Sequence, residues 1–92
     1  MSLLEVISKL ETFNEESTIY AAKPWTDQSK TLVLNESETG GLSIEAKKED
    51  LKYFLEISIA KEFLDGWMAH LDTEPTIREK CKRLIQYAIN DA

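Results

Sequence analysis

Between Leu51 and Ala88 the hydrophobic period of the chain changes twice. Tyr53, Leu55 and Ile57 alternate with Lys52, Phe54 and Glu56, the period of a strand with one buried face. Ile59, Ala60, Phe63, Leu64, Trp67, Met68 and Leu71 then recur at helical spacing, and beyond a turn containing Pro75 so do Ile77, Cys81, Leu84, Ile85 and Ala88. This predicts a strand over 51–57 and two helices, with Ser58 standing where the N-cap of the first belongs. The last helix has two candidate caps, Thr73 ahead of Pro75 and Thr76 in the box Thr76-x-x-Glu79, of which Thr76 is preferred.

The same reading extends over the first half of the chain. Ser2-x-x-Glu5 is a capping box, and Leu3, Val6, Ile7, Leu10 and Phe13 place a helix over 3–13. Thr18 to Ala22 has the β-branched and aromatic content of a short strand. Lys23 to Ser29 is a polar loop with one large ring, Trp25, since Pro24 lacks a ladder donor. Thr31 to Leu34 forms a second strand; being apolar without alternation, it is expected to be covered on both faces or to lie mid-sheet. Residues 35–41, with Gly40 and Gly41 among Ser, Thr and Glu, have the composition of a flexible surface loop. Residues 42–46 fit an edge strand or an irregular return, and 47–50 turn into the strand at 51–57. The predicted fold is α+β in the order α-β-β-β-α-α, one domain over 1–92. Three short strands make one antiparallel sheet, helices cover one face, and the last two helices form an antiparallel hairpin.

Composition narrows the classes of function. A chain of 92 residues, 42% hydrophobic and 30% charged, has one core and no room for a large internal cofactor cavity. The net charge of −6 is uneven: residues 1–46 carry three Lys against eight Asp or Glu, residues 47–92 eight Lys or Arg against nine. An acidic surface repels phosphate backbones, so nucleic acid is not an expected partner and a basic protein is. No run reaches the roughly 18 apolar residues of a membrane span, the start lacks the basic and apolar regions of a signal peptide, and the single cysteine, Cys81, permits no internal disulfide. Cytoplasmic residence without membrane contact is expected.

The order of elements, Thr18-Ile19-Tyr20-Ala21 followed by Pro24-Trp25, and Leu51-Lys52-Tyr53-Phe54-Leu55-Glu56-Ile57-Ser58 running into a helix resemble an uncharacterised family of small acidic bacterial α+β domains. Such domains are often compared with immunity proteins of toxin systems. The resemblance implies a fold and an immunity-like binding role, and it transfers no site residue.

No catalytic constellation is present. Cys81 falls on the apolar face of its helix, where burial raises a thiol pKa, and His70 sits at the edge of the preceding apolar arc, a half-buried helix-end residue. A dyad across the hairpin would have to join the two, yet the register sets Cys81 nearer Trp67 than His70. One His and one Cys make no zinc site, and the pairs Glu15/Glu16, Glu36/Glu38 and Glu49/Asp50 lie in loops or turns without a calcium-loop pattern, so no metal or cofactor is expected. Arg78, Lys80, Lys82 and Arg83 form the one basic patch. It is offset by Glu74 and Glu79 at i,i+4 spacing.

Trp25 is either a lid folded over the core or an exposed contact anchor, flanked by Lys23 and Asp27. Trp67 belongs to the core. The expected function is a protein–protein interaction module, of the immunity-inhibitor type, that presents its acidic surface and the 23–29 loop. The alternatives are a homodimeric structural or regulatory domain, suggested by Phe54 on the face opposite Tyr53 and Leu55, and a small enzyme using Cys81 or His70.

Overall fold

The computed structural model describes residues 1–35 and 50–91. The loop expected after Asn35, the 42–46 return and the turn residues Lys47 to Glu49 lie outside the described residues. The elements are α1 (Leu3–Ser8), a 3-10 turn (Leu10–Thr12), β1 (Ser17–Ala21), β2 (Thr31–Asn35), β3 (Lys52–Glu56), α2 (Ile57–Met68) and α3 (Ile77–Asp91). This is the predicted α+β fold: an antiparallel sheet in the order β2-β1-β3 with helices packed on one face.

Both capping boxes form as read. The Ser2 hydroxyl accepts from the Glu5 N–H at 3.2 Å while the Glu5 carboxylate accepts from the Ser2 N–H at 3.1 Å. Thr76 and Glu79 do the same for α3 at 3.2 and 2.8 Å, so Thr76 and not Thr73 starts that helix. The donated N–H groups hold the Glu5 and Glu79 carboxyls below their ordinary range.

Two boundaries differ from the expectation. The helix predicted over 3–13 is α-helical only to Ser8. The Ser8 hydroxyl donates to the Glu5 carbonyl and the Thr12 hydroxyl to the Lys9 carbonyl, both at 2.7 Å, and such back-bonds suit the tighter 3-10 turn that follows. Ser58 is not an N-cap: α2 leaves β3 directly at Ile57, with Glu56 as cap and no side-chain hydrogen bond there. Ile57 is fully buried, so core packing rather than a capping side chain fixes this junction. The apolar strand β2 is half-buried on both faces, the first of its two expected placements, and lies at the sheet edge, while the central strand is β1, all five of whose residues are buried. The beginning of β2 is shielded by the amino terminus: Ser2 bridges to Lys30, and the Thr31 N–H donates to the Met1 carbonyl at 2.8 Å.

The main core lies between the sheet and the helices, where Leu3, Val6, Ile7, Ile19, Phe54, Leu55, Ile57, Leu64, Leu84 and Ala88 pack together. Fully burying each Leu, Ile or Phe contributes roughly 1.5–3 kcal/mol. On the other face of the sheet Tyr20 and Leu51 are buried with Ala22, Leu32 and Leu34. α3 packs more extensively on α1 than on α2. It still runs antiparallel to α2: Phe63 stacks on Tyr87 with centroids 4.3 Å apart, whereas Met68, further along α2, lies beside Ile77 and Lys80 at the start of α3.

The alternation read for β3 is broken by a bulge. Ile19 pairs with Leu55 but the next residue, Tyr20, pairs with Tyr53, so Phe54 is the extra residue. Phe54 and Leu55 therefore both enter the core, at 0% and 3% exposure, and Tyr53 is 43% exposed. This reverses the predicted placement of Tyr53 and Phe54, and the supposed solvent-facing aromatic is the best buried ring of the strand.

Candidate binding surface around Trp25

The loop between β1 and β2 runs along α3 as a strap, and its conformation is fixed by short polar contacts. The Ser29 hydroxyl accepts from the Thr26 N–H at 2.8 Å and donates to the Pro24 carbonyl at 3.2 Å; the Gln28 N–H donates to the Thr26 hydroxyl. The Lys23–Pro24 peptide is cis. Leu3 and Leu4, whose N–H groups would be orphaned at the start of α1, donate to the Ser29 and Asp27 carbonyls at 3.0 and 3.1 Å. The strap thus joins the amino terminus to the sheet.

Trp25 proves to be both lid and surface residue. Its ring edge meets Phe54 at 5.0 Å and 87°, its indole N–H donates to the Ala21 carbonyl at 3.1 Å, and it packs against the main core. It is only half-buried, and the Lys23 ammonium sits 4.9 Å from its ring centroid. Lys23, Pro24, Trp25, Tyr53, Ala88 and Ile89 line one depression of about 430 Å3. Ile89, on the last turn of α3, is 63% exposed. It also borders a second depression, lined by Phe63, Arg83, Gln86, Tyr87 and Asn90, on the same end of α3.

Of the three residues singled out from the loop, the structure brings Trp25 and Lys23 together and separates Asp27. The Asp27 carboxylate takes the Arg78 guanidinium at 2.9 Å, tying the strap to the first turn of α3. That contact replaces the expected Glu74–Arg78 pair, and Glu74 instead reaches Lys80 at 3.9 Å. Sequence reasoning missed Tyr53 and Ile89. The period-two rule assigned Tyr53 to the core, and a lone Ile past the last periodic residue of a helix carries no signal by itself.

The chemical alternatives find no support in the geometry. Cys81 has no exposed surface, and burial, with the Asp27 charge second, pushes its thiol up from 9.0 to about 11. His70 is exposed just past the end of α2, not half-buried as expected. Glu15, Glu16 and Glu56 share an open depression at the opposite end of the sheet, but among the described residues no group of His, Cys, Asp and Glu is placed to hold a metal. Cys81 is accordingly expected to resist a thiol reagent at neutral pH, and Cys81→Ala to cost about 1 kcal/mol. Because the folded thiol keeps its proton to about pH 11 and an unfolded one releases it near 9.0, stability should fall as pH rises through that interval, and the fall should be smaller in Cys81→Ala. Fast labelling of the native protein would show the thiol to be accessible.

Among the described residues no helix is long and apolar enough to cross a membrane. Comparison with protein-family models, curated proteins and solved structures finds no match to this chain, so the resemblance to immunity-like domains rests on the quoted residues alone.

Proposed function

We propose that the chain is a protein–protein interaction module of the immunity-inhibitor type whose contact surface is the Trp25–Tyr53–Ile89 depression. The observation that carries this reading is the continuous exposure of Tyr53 and Ile89, 43% and 63%, beside a ring held rigidly by the core. A rigid aromatic with one face packed and one edge open adds contact area at little entropic cost, the property that enriches Trp and Tyr at interface hot spots. Net charge of −6 favours a partner with a basic rim and association that slows as salt rises. The homodimer reading loses its motivating residue, since Phe54 is inside the core.

The test is comparative capture. A partner retained by the immobilised wild-type chain should be lost from Ile89→Asp and weakened by about 2 kcal/mol in Tyr53→Ala, while Lys82→Ala retains it. Equal retention by all of them would remove this surface from consideration. A wild-type dimer that Ile89→Asp converts to monomer would assign the surface to self-association.

A further inference from the structure

Another depression, with no residue in common with the one at Trp25, opens between the 3-10 turn, α2 and the start of α3 and has a volume of about 490 Å3. Its floor is apolar: Leu10 and Leu64 are buried, Met68 and Ile77 half-buried. Three lysines border it, Lys9, Lys61 and Lys80. Lys61 and Lys80 are half-buried, and the Lys80 side chain is only 17% exposed. Among the described residues no carboxylate lies within ion-pair distance of Lys9 or Lys61, and Lys80 has only the exposed Glu74 at 3.9 Å. Glu11 and Asp65 also border the depression, and both are exposed. Three cations against two carboxylates around an apolar floor, in a chain of net charge −6, reverse the molecule's general balance of charge.

We infer that this groove binds a small monocarboxylate with an apolar body, such as a medium-chain fatty acid. The floor takes the hydrocarbon and Lys61 and Lys80 take the carboxylate by charge-assisted hydrogen bonds. Glu11, Asp65 and the overall negative charge select against phosphates and other polyanions, for which repulsion grows with ligand charge.

Titration of the 15N-labelled full chain with sodium octanoate, followed by amide chemical shifts, tests the assignment. Saturable shifts are expected at residues 8–12, 61–68 and 77–80. Octan-1-ol, of the same length without the charge, should bind about tenfold more weakly or worse, as should octanoate to Lys61→Gln. Lys61→Gln must keep the dispersed spectrum of the folded chain, and Lys80→Gln is the second variant. Lys82→Gln, outside the groove, should bind octanoate as the wild type does. Equal affinity for octanol and octanoate, shifts centred on Trp25, Tyr53 and Ile89, or no saturable shift at all would each overturn the inference. Because no partner protein enters this titration, its failure leaves the Trp25 surface to be judged on its own experiment.

Discussion

Phe54→Ala is expected to lower the stability of the chain by about 3–5 kcal/mol, a large part of what a small domain possesses. The ring has 0% exposure, and removing it takes away an edge contact with Trp25 and leaves a void between β3 and the helices. Close-packed surroundings collapse only partly into such a void, which is why the cost exceeds simple transfer of the side chain to water. Tyr53→Ala, one residue earlier, should cost about 1 kcal/mol or less, because much of that ring is already in water. A regular period-two strand demands the reverse order. Denaturant midpoints for the two variants therefore test the bulge itself, and a Tyr53 effect larger than that of Phe54 would show β3 to be paired one residue out of the described register.

The second large effect belongs to Trp25→Ala, expected to cost about 3 kcal/mol, the low end for removal of a large aromatic because the ring is only half-buried. Three contacts go at once: the edge packing on Phe54, the hydrogen bond to the Ala21 carbonyl and the Lys23 cation over the ring. Trp25→Phe retains ring area and loses the N–H donor, so it should cost nearer 1 kcal/mol. In a Trp67→Phe background the remaining emission reports Trp25 alone. It should be partly quenched by acrylamide in the isolated chain, and less so with a partner bound. Complete protection in the isolated chain would make Trp25 purely a lid, and full accessibility would make it purely surface. If the proposed contact surface is correct, binding per folded molecule falls in Trp25→Ala in addition to stability, since one ring serves both.

Local chemistry was legible in the sequence where a few neighbouring residues decide the outcome. The two capping boxes are of this kind: Ser2 with Glu5 and Thr76 with Glu79 satisfy each other's backbone donors whatever lies elsewhere. The helical stripes are another, since Leu3, Val6 and Ile7 in α1 and Cys81, Leu84 and Ala88 in α3 are all buried. What was not legible depends on distant parts of the chain. An unbroken apolar run such as Leu32-Val33-Leu34 suits a central strand or an edge strand sandwiched on both faces, and only the pairing partners of β1 decide which. The bulge is a disagreement in residue count between two strands some thirty positions apart, invisible to any window along one of them. Arg78 had a carboxylate four residues earlier, Glu74, but that residue lies ahead of the Thr76 cap and off the helix, and Arg78 takes Asp27 instead because the strap delivers that carboxylate across 51 positions of sequence. Of the proposed binding surface, Trp25 and Lys23 were legible because a tryptophan in a polar loop is conspicuous by composition. Tyr53 was lost to the same miscounted period.

The bulge in β3 also bears on how this surface can change over generations or by design. One surplus residue sends Phe54 inward and Tyr53 outward, so the directions of the core anchor and of one wall of the depression are set by a single register. Deleting a residue within 53–55 would restore regular pairing and damage both at once. Ile89 and Lys23 stand apart from this coupling, on the last turn of α3 and in the strap, both exposed and neither part of the main core. On the proposed surface, variation that spares the fold falls on exposed positions such as these, so a selection for altered partner preference starting from a library over all six lining residues should return survivors diversified at 23 and 89 and nearly invariant at Trp25.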